Sequence, residues 1–81
     1  MNTVFFKDLD RSETLENHIN EKTNHLHYDH SCRWIIQREG RHDFKVKCIF
    51  ENHAVIEEGE DLFSIVNHIV SRIRAKETRA A

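Results

Sequence analysis

Seven histidines, two cysteines and a run of carboxylates are the residues of this 81-residue chain with the most chemical potential. His25, His27 and His30 fall in one short stretch, as metal ligands do. Two ligands on one helix face need i, i+4 spacing, however, and 25 and 27 lack it. They read as loop residues with weak, adventitious metal affinity. His18, three residues after Leu15 and four before Lys22, reads as a helix-boundary residue. Glu57, Glu58, Glu60 and Asp61 do not have the spacing of a calcium loop, so they read as a solvated turn that opens a helix. Cys32 and Cys48 form neither a disulfide framework nor a zinc motif, which leaves two small, half-buried thiols. Ser12, Ser31, Ser64 and Ser71 have no nucleophile elbow or oxyanion loop around them. With glycine only at 40 and 59, little backbone is available to cradle a phosphate. The expectation is a non-enzyme with no cofactor and no metal.

Binding chemistry is more promising. The chain carries 12 Lys and Arg against 14 Asp and Glu, a net charge of −2. The sum hides a pattern: residues 1–30 are net acidic, 31–50 net basic, 51–61 acidic without a single base, and 62–81 basic again. Folding that brings the two basic segments together would give a positive surface on a mildly acidic protein. Such a surface contacts phosphate backbones. The same charges also suit a helix C-terminus or a solvated strand, with no ligand involved.

The elements that must position these charges follow from periodicity. Thr3–Lys7 is rich in β-formers and predicts a strand. Ser12 can cap a helix over about 12–26, with Asp10 and Glu13 as an alternative capping box. Leu15, Ile19 and Leu26 share its apolar face. Cys32, Trp34 and Ile36 alternate with Arg33, Ile35 and Gln37 in a second strand. After a hairpin containing Gly40, Phe44, Val46, Cys48 and Phe50 alternate with Lys45, Lys47, Ile49 and Glu51, the clearest period-2 run in the chain. A tight turn at Asn52–His53 and a short strand over 54–57 come next. Leu62, Ile65, Val66, Ile69 and Ile73 then mark a strong amphipathic helix whose end frays near Ala80.

The order is β-α-β-β-β-α in a single α+β domain. Two amphipathic helices need one apolar surface, and an antiparallel sheet with one dry face supplies it. Arg33, Lys45 and Lys47 then fall on the uncovered face. His68, Arg72, Lys76 and Arg79 form a stripe along the last helix, and Arg38, Arg41 and His42 sit at the hairpin. No apolar run approaches ~20 residues, so a membrane span is not expected, and the start lacks the features of a secretory leader.

The element order and certain residues at its joints resemble the bacterial ribosome hibernation promoting factor and ribosome-associated inhibitor A family. Ser12–Lys22 opens the first helix, and Leu26 with Tyr28-Asp29-His30 leads to the second strand. Glu60-Asp61-Leu62-Phe63-Ser64-Ile65-Val66-Asn67 matches the acidic pair, apolar–aromatic pair and Ile-Asp/Asn opening of the family's last helix, with Arg72-Ile73 following. The resemblance spans nearly the whole chain. It implies a double-stranded-RNA-binding-like fold, with four strands and both helices on one face. It also implies a cytoplasmic protein that binds the small ribosomal subunit near the decoding region and blocks translation under stress. By position it assigns rRNA contacts to Lys22 and Arg72; Arg33, Lys45, Lys47, Lys76 and Arg79 are added by charge. Three features depart from the family pattern. The stretch from Phe50 to Asp61 is short, Glu58-Gly59 replaces a basic or histidine residue, and the sequence ends at Ala81 without the second domain of longer members, so a monomer off the ribosome is expected. The alternatives are a protein-interaction module docking through the open sheet or acidic turn, and a metal- or pH-responsive protein using the histidine cluster.

Overall fold

A computed structural model describes residues 2–24, 26, 32–50 and 52–80, the last four of these through their backbone alone. The elements are β1 (Thr3–Lys7), α1 (Glu13–Thr23), β2 (Arg33–Arg38), β3 (Phe44–Phe50), β4 (His53–Gly59) and α2 (Leu62–Ala80). This is the expected α+β order.

Each helix start is written in its cap. Ser12 is extended (φ −116°), its Oγ accepts from the Leu15 amide at 3.2 Å, and its carbonyl accepts from the Glu16 amide at 3.0 Å. Ser12, rather than Asp10, therefore caps α1. Asp61 does the same for α2: Oδ1 accepts from the Phe63 amide at 3.0 Å and Oδ2 from the Ser64 hydroxyl at 3.2 Å. α1 stops at Thr23, short of the expected 26, but the Leu26 amide still donates to the Thr23 carbonyl at 3.0 Å and the Leu26 side chain stays buried.

The strands lie in the order β1-β2-β3-β4. β1 runs parallel to β2, because α1 carries the chain back along the sheet; the other two pairings are antiparallel. The sheet is therefore mixed. His53, expected in a turn, is already paired with Phe50, and β4 runs on to Gly59 instead of ending at 57. Gly59 lies close under α2: a Cβ there would meet Ile65 Cγ1 at 3.3 Å. The chain leaves β1 through Asp8 at φ 63°, a left-handed conformation that Asp tolerates better than most residues.

The apolar halves of the strands and helices form one core. Trp34, Ile36, Val46, Cys48 and Phe50 meet Leu15, Ile19, Val66, Ile69 and Ile73, all fully buried. Each large side chain so buried contributes roughly 1.5–3 kcal/mol. The one buried polar residue among those described, Thr23, belongs to a network that the apolar pattern did not announce. Its Oγ1 donates to the Ile19 carbonyl at 2.8 Å and accepts from Asn2 Nδ2 at 2.7 Å. Asn2 Oδ1 accepts in turn from the Trp34 indole N–H at 3.1 Å. Asn2 thereby ties β1, α1 and β2 together.

Cys32, just before β2, and Cys48, on β3, are wholly buried thiols, not half-buried ones. A hydrogen bond with Cys32, burial, and the charge Cys32 would carry all push the Cys48 thiol above its ordinary range.

Two outcomes follow. Asn2→Ala strands the indole N–H and removes the bond that the Thr23 hydroxyl accepts, and it should cost about 1–3 kcal/mol of unfolding free energy in urea titration; a loss below about 0.5 kcal/mol would show that the network carries nothing. Because the folded state holds the Cys48 proton more tightly than the unfolded chain, its contribution is complete below the ordinary thiol pKa and is lost as pH rises above about 8.5. Thermal melts should therefore fall more steeply with pH above that value in wild type than in Cys48→Ala, and equal slopes would refute the assignment.

Candidate nucleic-acid interface

With both helices packed on one side, every second strand residue faces away from them. The register arranges these residues in three rows across the sheet. Thr3, Arg33, Ile49 and Ala54 form the first, Phe5, Ile35, Lys47 and Ile56 the second, and Lys7, Gln37, Lys45 and Glu58 the third. Neighbours within a row are about 4.8 Å apart and successive rows about 6.6 Å apart. Lys7, Ile35, Gln37, Lys45, Lys47 and Ile56 line a shallow depression of about 290 Å³ in this face.

Among the described residues the face carries four cations (Lys7, Arg33, Lys45 and Lys47) and one carboxylate, Glu58, which sits opposite Lys45; Glu51, next in the sequence alternation of β3, lies outside them. Among the described residues none of the four cations is in an ion pair; the pairs present are Arg11–Glu16 and Arg72–Glu57. A chain of net charge −2 thus holds a sheet face that is net positive. Such a face attracts polyanions.

Arg33, Lys45 and Lys47 are where the strand alternation put them. Lys7, Phe5 and Ile56 join them unannounced. Val4-Phe5-Phe6 does not alternate, so only the parallel pairing of β1 with β2 decides which side each residue takes. Ile56 lies in a run too short to show a period.

The helix cations are placed differently. Arg72 reaches the β4 edge, where it donates to Glu57 Oε1 at 3.0 Å and, more weakly, to the Ile56 carbonyl at 3.5 Å. It borders the open face with its charge already matched. Lys76 is exposed further along α2, and Arg79 has its side chain outside the described residues. Lys22 stands on the other side of the sheet, where it lines a groove of about 130 Å³ between the helices with Asn67, Val70, Ser71 and Arg74. Arg38 turns to the helix side, its guanidinium 5.8 Å from the Phe44 ring centre. The single basic surface expected of strands and helix edge is therefore divided by the sheet itself.

The other candidates have structural places. His18 joins the helices, with Nε2 2.9 Å from Asn67 Oδ1 and its ring edge-on to Phe63 at 5.0 Å. The acidic turn is split among tasks: Glu57 pairs with Arg72, Asp61 caps α2 and Glu58 faces outward. The cluster of His25, His27 and His30 lies outside the described residues. Among the described residues no three His, Cys, Asp or Glu side chains converge to hold a metal, and no helix is long and apolar enough to cross a membrane.

No protein-family model and no curated protein matches the chain. Solved structures do match in fold over the full length of both chains. The Thermus thermophilus Protein Y N-terminal domain superposes with a TM-score of 0.66 at 17% identity, and a ribosomal subunit interface protein from Coxiella burnetii with 0.67 at 11% identity. The chain thus shares their four-stranded, two-helix architecture.

The charge balance of the open face is directly testable on a polyanion column. Glu58→Gln removes the one carboxylate among its described residues and should elute from heparin at higher salt than wild type; Lys47→Glu should elute earlier. Unchanged elution of both variants would show that the face does not hold the anion.

Proposed function

We propose that this protein is a ribosome-associated translation inhibitor that binds the small subunit through ribosomal RNA. The observation that carries this reading is the segregation of charge: among the described residues, an acidic chain presents four cations and one carboxylate on the face its helices leave open. The shared fold supplies the direction, since one of the superposing proteins is described as a ribosomal subunit interface protein. Lys7, Arg33, Lys45 and Lys47 make the principal phosphate contacts. Lys22, beside Arg74 in the interhelical groove, is placed for a second contact, and Arg72 flanks the β4 side; Lys76 and Arg79, further along α2, are added by charge. Bound near the decoding region, a domain of this size competes with messenger and transfer RNA. It needs no catalytic group, because occupancy alone blocks initiation.

Four phosphate contacts imply a steep response to salt. Raising salt from about 50 to 200 mM should weaken binding by about 50- to 150-fold. On sucrose gradients the protein should co-sediment with 30S particles at low salt and leave them as salt rises. Lys45→Glu combined with Lys47→Glu should release it at low salt. Co-sedimentation of the double variant equal to wild type would remove the sheet face from the interface, and absence of the wild-type protein from ribosomal fractions would overturn the ribosomal role.

A further inference from the structure

We propose that the open sheet face takes an unpaired stretch of RNA, with bases on its apolar middle row and phosphates on the cations to either side. This deepens the ribosomal reading above and rests on it. Phe5 is 54% exposed and Ile56 44% exposed, large apolar side chains left in water at the two edges of the sheet. Singly, such residues need no explanation. The register, however, sets them in one row with Ile35 between them and Lys47 as the only polar member. Arg33 lies in the row on one side, and Lys7 and Lys45 in the row on the other. A row with three apolar members and one lysine, flanked by Arg33 on one side and by Lys7 and Lys45 on the other, matches a single strand, whose base faces are free to stack and whose phosphates lie to the side.

A duplex fits less well. Its bases are already stacked on each other, so it offers the face only phosphates and sugars. The lysines would be satisfied, but Phe5 and Ile56 would be pressed against charged backbone. A second copy of this face is disfavoured too, because a two-fold contact would set lysines against lysines.

The test is fluorescence anisotropy with a labelled 12-nucleotide single-stranded RNA and the same sequence as a 12-base-pair duplex, at low salt. The single strand should bind at least about fivefold tighter than the duplex, in line with one base stacked on an aromatic ring. Phe5→Leu keeps the apolar area but removes the π face, and it should lose that advantage while leaving duplex binding unchanged. Phe5→Tyr should retain it, and circular dichroism of both variants checks that β1 still forms. Equal affinity for the two RNAs, or a Phe5→Leu protein indistinguishable from wild type, would overturn the proposal. So would a concentration-dependent dimer in sedimentation that Ile56→Lys abolishes. The two readings fail separately: wild-type protein that co-sediments with 30S particles but ignores strandedness sinks only this inference. Strand selectivity without co-sedimentation sinks the ribosomal role.

Discussion

The pairing of β2 with β3 fixes almost everything else in this molecule. Trp34 stands opposite Cys48 and Ile36 opposite Val46, all facing the helices and all fully buried. Because side chains alternate with a period of two, a slip of one residue would exchange the faces. Arg33 and Ile35 would enter the core, while Trp34 would be lost to water along with the indole hydrogen bond to Asn2. The cost of burying charge and exposing an aromatic rules out that slip. The outward positions of Lys45 and Lys47 follow from the register without any selection of their own.

The sheet thereby separates the chain's charges as well as its apolar groups. Four of the carboxylates go to places that use a negative charge. Asp61 caps a helix, Glu13 and Glu16 lie in the first turn of α1, and Glu57 matches Arg72 at the β4 edge. Each sits near a positive end or a positive partner. Four cations of the open face are left without such a partner among the described residues. Overall net charge is a poor guide to a surface of this kind, because the carboxylates that outnumber the bases are held elsewhere.

Much of this was legible in the residues. The order of elements, the cap at Ser12, and the inward set of β3 all follow from period and chemistry that act within a few residues of chain. β1 was the harder case. Its two consecutive phenylalanines carry no alternation, so Lys7 and Phe5 could not be assigned a side until β1 paired in parallel with β2. Thr23 was hidden for a similar reason: a hydroxyl on an apolar face makes sense only once Asn2, distant in sequence, arrives to hydrogen-bond it.

The sequence by itself determined which residues are buried along the central strands and helices, and hence that Arg33, Lys45 and Lys47 point outward, because hydrophobic periodicity is a local property. Only the tertiary structure decided which cations act together. It joined Lys7 to the sheet group, sent Lys22 to the opposite side of the molecule, and spent the charge of Arg72 on Glu57. These outcomes depend on strand order, on the parallel pairing of β1 and on how α2 lies along β4. Contacts between segments far apart in sequence set all three, and no local pattern encodes them.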